Sequence, residues 1–298
     1  MTVAAAPARS GAHSGLGALP GWCADDAAAA LVAWSRTSGT LPDGDAHDFF
    51  RTAFRPRAPI PASCTAYYEP EIAAAPTPDT VHRFPIHRLP DWPRDRQMPS
   101  RAEIETSDVL AGHEIAWLAD PVDRAVLMVQ GSGRLRMPDG TVRRVGYAGA
   151  NGHPYRSLGA DMVAHGHLAP GTVTLPAIRD WLARHPDEAT ALLRLNPSWV
   201  FFRTLDLAPD LGPIGTAGVP LTPLRSIAVD PAHIPLGAPV WVEVDGPDPI
   251  RALMVAQDTG GAIRGPGRVD LFLGTGAAAG DRAGHLVATG RLIVLDPA

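Results

Sequence analysis

The chain of 298 residues is long enough for one large domain or two modest ones, with substantial apolar cores. Hydrophobic residues make up 45% and charged residues 19%, and 31 Pro with 30 Gly favour turns and short strands over a long helical bundle. The net charge is -5, and all 26 basic residues are Arg; phosphate affinity needs clustered positive charge, so the mild acidity argues against a general nucleic-acid binder but not against a neutral sugar polymer.

Residues 1–20 are rich in Ala, Gly and Ser and read as a flexible N-terminus. They show no continuous apolar leader and no lipid-attachment Cys behind one, and no segment of the chain is apolar for long enough to predict a transmembrane helix. Trp22 to Ser38 predicts a helix, with Asp25 near its start and Gly39 ending it. Pro70 closes the aromatic segment Thr65-Ala-Tyr-Tyr-Glu-Pro70, and the dense prolines between Ala73 and Pro99 predict an extended crossing and a domain boundary.

Arg124 to Val129 is apolar enough to predict a strand, and Met137-Pro-Asp-Gly140 followed by Thr141–Val145 predicts a hairpin. Residues 155–165 and 174–195 read as helices, the second carrying Ile178, Trp181, Leu182, Leu192 and Leu193 toward a core. From Asn196 onward short apolar runs alternate with turns: Val200–Phe202, Ser226–Val229, Val240–Val244, Leu253–Ala256 and Arg291–Leu295. Strands at that spacing predict a barrel. Cys23 and Cys64 are too few for a disulfide framework; one bridge or two packed thiols are the alternatives.

The segment most informative about chemistry is Ala256-Gln-Asp-Thr-Gly-Gly-Ala-Ile-Arg-Gly-Pro-Gly-Arg-Val-Asp-Leu-Phe272, where Asp258 and Asp270 bracket a glycine-rich loop between apolar ends. Such a loop can hold carboxylates at the mouth of a barrel. Cleaving a glycosidic bond needs a carboxylic acid whose pKa is raised in a poorly solvated cleft, and either aspartate fits that need. Alternation along the strand equally allows Asp270 to turn outward as a capping carboxylate. The loop lacks the Gly-Lys-Ser/Thr ending of a phosphate cradle. His165-Gly-His167 has no accompanying ligand spacing, so no metal is expected, and Ser132 in Gly131-Ser-Gly133 does not complete a nucleophile elbow. Tyr67, Tyr68, Tyr147 and Tyr155 lie in polar, turn-rich segments and suit sugar rings, with packed core tyrosines as the alternative.

Several segments, in order, resemble signatures of the membrane-bound lytic murein transglycosylase A family. They are Thr65–Pro70, Pro99-Ser-Arg-Ala-Glu-Ile104, Val129-Gln-Gly-Ser-Gly133, Tyr147-Ala-Gly-Ala-Asn-Gly-His-Pro-Tyr-Arg-Ser157 and Asn196-Pro-Ser-Trp-Val-Phe-Phe202. The C-terminal part is similar to that family's three-aspartate (3D) domain, with Asp230, Asp258 and Asp270 at the acidic positions. Ala66 and Arg264 stand where the family often has glycine and lysine.

The resemblance implies a mainly β protein: a double-psi β-barrel from residues 21–72 and 196–298, a β-rich substrate-groove domain inserted at 73–195, and a few flanking helices. It implies Asp270 as the catalytic residue with Asp258 beside it, and substrate contacts at Thr65, Tyr67, Tyr68, Gln130, Ser132, Asn151, Tyr155, Arg156 and Arg264. No cofactor is implied. The implied activity is that of a peptidoglycan lytic exotransglycosylase, a lyase that cleaves between N-acetylmuramic acid and N-acetylglucosamine and leaves 1,6-anhydromuramoyl ends. Peptidoglycan strands are the implied partner, other cell-wall enzymes further candidates, and the periplasm, with outer-membrane association, the implied location. An inverting hydrolase using Asp258 and Asp270, or a non-catalytic glycan-binding module, are the competing readings.

Overall fold

The computed structural model describes residues 15–93 and 96–298. Of the N-terminal stretch expected to be flexible, residues 1–14 lie outside the described residues, and from Leu16 the chain is already packed, beside Trp22, Phe50 and Trp241. Among the described residues are thirteen strands and eight α-helices, arranged as two sheets with separate cores.

The first turns lead into α1 (Ala27–Ser38) and α2 (Ala46–Ala53), followed by β1 (Phe54–Pro56). The helix expected from Trp22 starts later because the Asp26 side chain accepts the Ala29 N–H and sets the N-cap there, while Trp22–Ala24 forms a short 3₁₀ turn. Next come β2 (Ile60–Glu69) and β3 (Glu71–Ala75), separated by Pro70 as its missing N–H predicts. β4 (Phe84–His87), α3 (Arg101–Thr106) and β5 (Glu114–Leu118) follow. Ser100 and Glu103 form a reciprocal capping box at the start of α3.

Residues expected to be a strand at Arg124–Val129 belong instead to α4 (Pro121–Gln130). The local chemistry explains the difference. Asp120 accepts the Val122 N–H at 2.8 Å, Pro121 occupies the first turn, Gly131 ends the helix, and Val122, Val126 and Leu127 are buried at helical spacing. The expected hairpin is present as β6 (Ser132–Arg136) paired with β7 (Val142–Ala150). α5 (Leu158–Ala164) lies in the first helical segment, but the second is broken into α6 (Leu175–Arg184) and α7 (Pro186–Arg194), because Pro186 cannot continue the preceding helix.

β8 (Val200–Leu205) pairs with β7, so this run, expected on the barrel side of residue 196, belongs to the six-stranded sheet β4-β5-β3-β6-β7-β8. Its Phe201 and Phe202 are fully buried in that sheet's core with Leu127, Leu135 and Trp199. The remaining elements are β9 (Ser226–Ala228), β10 (Pro239–Val244), β11 (Ile250–Asp258), β12 (Arg268–Thr275), α8 (Gly276–His285) and β13 (Val287–Pro297).

Strands β13, β10, β11, β9, β12 and β2 close on themselves through a second pairing of β13 with β2. Within this six-stranded barrel β9 runs parallel to β11 and β2 parallel to β12, the other neighbours being antiparallel. Closure leaves the barrel no free edge. Period-two alternation decides its layers. Val240, Val242 and Val244 of β10 face the barrel core with Val269, Leu271, Leu292 and Val294, while Trp241 faces outward under α1 and α2 beside Leu253, Ile293 and Leu295. Cys64 is buried in the barrel core and Cys23 is exposed, and both are free thiols.

One ion-pair cluster joins the two sheets. Glu69, at the end of β2, is only 1% exposed and accepts from Arg134 Nε at 2.8 Å and Arg144 Nη2 at 2.7 Å, both on the six-stranded sheet, and from Thr275 Oγ1 at 2.9 Å on the barrel. Removing one partner of a buried pair strands the other charge. Glu69→Ala is therefore expected to destabilise the protein by about 3–5 kcal/mol, measured as a fall in the urea midpoint with little change in slope.

Candidate functional site

Strand alternation turns Asp270 away from the barrel interior. Val269 and Leu271 belong to the barrel core, whereas Asp270 and Phe272 project from the opposite face of β12. The outward orientation does not leave Asp270 in bulk water. Phe272 forms a second apolar cluster with Tyr67, Leu221, Ala228 and Ile263 on this face, and the carboxylate sits at its edge.

β9 lies between β11 and β12, and its Ala228 is the register partner of Asp258 on one side and Asp270 on the other. Two strand spacings put the two Cα atoms about 10 Å apart. On the far side of β12, Thr65 of β2 is in register with Asp270, and Tyr67 with Phe272. Thr65 and Tyr67, two residues apart, share the face that carries the aspartates.

The two carboxylates are held differently. Asp258 Oδ1 accepts the Thr216 N–H and the Thr216 hydroxyl, each at 3.0 Å, and Oδ2 accepts the Tyr67 hydroxyl at 2.9 Å. Asp270 accepts one hydrogen bond, from Thr65 Oγ1 to Oδ1 at 2.5 Å, and its Oδ2 has no partner among the described residues. Burial raises both pKa values above the ordinary carboxylate range. Donors from Thr216, Thr259 and Tyr67 oppose the rise at Asp258. At Asp270 the Thr65 bond and the Arg268 cation oppose it, and the nearby Asp258 charge adds to it. Burial, together with the Asp258 and Asp270 charges, holds the Tyr67 phenol protonated, as a donor.

The loop after β11 is tied down at both ends. Asp230 accepts the Gly265 N–H at 2.8 Å and the Ala232 N–H at 3.1 Å, and these bonds lower its pKa. Asp230 is thus a tether for the loop, at a position where φ is +95° and a side chain would be strained. Gly267 runs so close to β2 that a Cβ would lie 2.1 Å from the Pro61 carbonyl oxygen. Ile263 inserts into the apolar cluster beneath the aspartates, and Arg264 stays exposed on the loop.

The other residues expected to touch substrate fall elsewhere. The alternation that brings Tyr67 to the aspartates sends Tyr68 to the opposite face of β2, against Gly280 of α8. There Tyr68, Gln130, Tyr155 and Arg156 line a mainly apolar cavity of 270 Å³ with Val126 and Ile178, and neither Asp258 nor Asp270 borders it. Gln130 Oε1 accepts the Tyr68 N–H at 2.9 Å, and Arg156 pairs with Asp161 at 2.5 Å. Asn151 directs its side chain to backbone: its amide donates to the Pro99 and Pro197 carbonyls and its oxygen accepts the Trp199 N–H. Ser132 is buried on β6 opposite Gly146. His165 and His167 stack on one another, and His167 packs against Trp181. Of the residues that hold the aspartate pair, Thr216 lies in no segment marked by the sequence, and Arg268 lies in the Ala256–Phe272 segment without being singled out as a site residue.

A buried carboxyl with one oxygen free and a raised pKa can deliver a proton and take one back. Comparisons with known proteins place this geometry. The MltA specific insert domain matches residues 63–203 and the 3D domain residues 225–296. The membrane-bound lytic murein transglycosylase A of Escherichia coli K12 is 37% identical over 245 residues, 78% of this chain; the chain spans 65% of that relative's length. The crystal structure of a membrane-bound lytic murein transglycosylase from Agrobacterium tumefaciens superposes with a TM-score of 0.86 at 31% identity, covering 96% of this chain and 97% of that one. The crystal structure of E. coli MltA with bound chitohexaose superposes with a TM-score of 0.74 at 35% identity, covering 80% of this chain and 72% of that one. With both domain models matched in order and one relative covered almost end to end, this chain belongs to the membrane-bound lytic murein transglycosylase A family.

Proposed function

We propose that this protein is a lytic transglycosylase that cleaves the bond between N-acetylmuramic acid and N-acetylglucosamine in peptidoglycan, with Asp270 as acid and then base. The observation that carries this reading is the asymmetry of the two buried carboxylates: Asp258 has donors on both oxygens, whereas Asp270 has one oxygen free. A relative from E. coli is known with chitohexaose bound, which supports a glycan as the occupant.

In this mechanism the Asp270 carboxyl gives its proton to the glycosidic oxygen as the C1–O bond breaks. The muramoyl 6-hydroxyl then attacks C1, and its proton passes to the Asp270 carboxylate, restoring the acid. The product carries a 1,6-anhydro ring, and no water is consumed. One carboxyl serves both steps, where a hydrolase needs a second one to activate water or to act as nucleophile. Burial favours the protonated form of Asp270, and like-charge repulsion from Asp258 adds to it.

Of the implied substrate contacts, Thr65 and Tyr67 act at the carboxylates themselves. Arg264, exposed on the loop, contacts the strand from the side. Tyr68, Gln130, Tyr155 and Arg156 contribute along the apolar cavity they line, and Ser132 and Asn151 support the six-stranded sheet. We further propose a barrel interrupted by an inserted sheet, the insert running from β3 to β8. The relatives are named membrane-bound, which supports a place in the cell envelope, and no helix among the described residues is long and apolar enough to cross a membrane.

Digestion of purified peptidoglycan followed by mass spectrometry tests the reaction. Products lighter by one water than hydrolytic ones are expected, and reducing ends would overturn the reading. Asp270→Asn is expected to lose about 10²–10⁴-fold in turnover while still binding peptidoglycan in a pull-down; absence of turnover in the wild-type protein would instead indicate a binding module.

The pH profile follows from the same geometry. The acid must be protonated, so the rate falls as pH rises through the Asp270 pKa, and that limb lies above the ordinary carboxylate range of about 4. Asp258→Asn removes a charge that raises this pKa, so its alkaline limb should move to lower pH, as read from kcat/KM against pH.

A further inference from the structure

We propose that Arg268 is a positioning residue that, acting through Thr65, fixes which oxygen of Asp270 carries the transferable proton. This rests on the transglycosylase reading above, and it concerns two residues that serve that reaction without donating a proton to the glycan.

Arg268 opens β12 in register with Ser63, as Asp270 is with Thr65. Its Nη2 donates to Thr65 Oγ1 at 2.8 Å, and its Nη1 donates to the Val269 carbonyl at 2.7 Å and the Ser63 carbonyl at 3.3 Å. The guanidinium is therefore fixed on two strands at once. Guanidinium groups only donate, and a hydroxyl has a single hydrogen. Thr65 Oγ1, accepting from Arg268, has its own hydrogen left for Asp270 Oδ1, at 2.5 Å.

The polarity of this chain has a chemical consequence. An oxygen that accepts a hydrogen bond from Thr65 cannot also donate one along the same line. The Asp270 proton consequently resides on Oδ2, the oxygen with no hydrogen-bond partner among the described residues. Without Arg268 the Thr65 hydroxyl can rotate and accept instead. The proton then sits on Oδ1, directed at β2 and away from the glycosidic oxygen.

The charged and titratable groups around Asp270 are Arg268 on its own strand, Asp258 across β9 and Tyr67 on β2. Only Arg268 among them is a cation, and it lowers the Asp270 pKa while Asp258 raises it. Loss of Arg268 should thus have two separable effects: misplacement of the proton, visible even where Asp270 is fully protonated, and a shift of the alkaline limb to higher pH.

The test is the pH profile of anhydromuropeptide release from peptidoglycan by Arg268→Met, Thr65→Val, Thr65→Ser and the Arg268→Met/Thr65→Val pair. Arg268→Met should lower kcat on the acid side of the limb about tenfold with KM little changed, and move the limb to higher pH. In the Thr65→Val background Arg268→Met should cost no further kcat, because the path it acts through is gone. Thr65→Ser, which keeps the hydroxyl, should retain kcat. An unchanged kcat in folded Arg268→Met, or losses that multiply in the double variant, would overturn the proposal. Should Arg268→Met fail to fold, Thr65→Val decides: an unchanged kcat there removes the hydroxyl from the path. Asp270→Asn run alongside separates the levels, since an undiminished rate in that variant would sink the reading of Asp270 as the acid, whereas a large loss there beside a normal Arg268→Met sinks only the role of Arg268.

Discussion

The architecture turns on one buried carboxylate. Glu69 ends the strand that closes the barrel, and a single proline later the chain begins a strand of the other sheet. At that junction Glu69 binds two guanidinium groups of the six-stranded sheet and a hydroxyl of the barrel. The arginines in turn reach the carbonyls of Ala208 and Leu211, holding the segment by which the chain returns to the barrel. Outgoing and returning chain are thus fastened at one point. Because Thr65 and Tyr67 lie on the same strand as Glu69, the fastening also fixes the end of the strand that meets both aspartates.

That strand serves three surroundings through alternation. Cys64 points into the barrel, Thr65 and Tyr67 point to the carboxylates, and Tyr68 packs against α8. Asp270 lies on the face of β12 opposite the barrel core, beside the apolar cluster of Phe272, Tyr67, Leu221, Ala228 and Ile263, the last carried by the tethered loop. The distinction among the family's three aspartates follows from position: Asp230 takes backbone N–H groups and holds the loop, Asp258 is saturated by donors, and Asp270 keeps an oxygen free.

Much of this was legible in the sequence. The five apolar runs after Asn196 are all strands, the turn at Met137–Gly140 joins a hairpin, and the glycine-rich loop does bring its flanking aspartates to one site. What the pattern hid were long-range facts. Val200–Leu205 has the same composition as the barrel strands, and only its pairing with β7 shows which sheet owns it. Arg124–Val129 is apolar in either conformation, and the cap at Asp120 decided for helix. Tyr67 and Tyr68 are neighbours in sequence and strangers in space. Thr216 reaches Asp258 across 42 positions with no local motif to mark it, and Arg268, although inside the glycine-rich segment, makes its contact with Thr65 across 203 positions.

The closure of the barrel has a consequence for the order in which the molecule is made. β2 must pair with β12 and β13, more than two hundred positions further along, so no barrel exists until nearly the whole chain has been synthesised. β3 to β8, by contrast, pair strand to strand only within their own sheet, whose last strand ends at Leu205. Non-local pairings are slow because loop closure must precede their reward. During synthesis the six-stranded sheet can therefore assemble first, while β2 waits with its backbone groups unpaired, and Asp258, Asp270 and Thr65 come together only in the last act of folding.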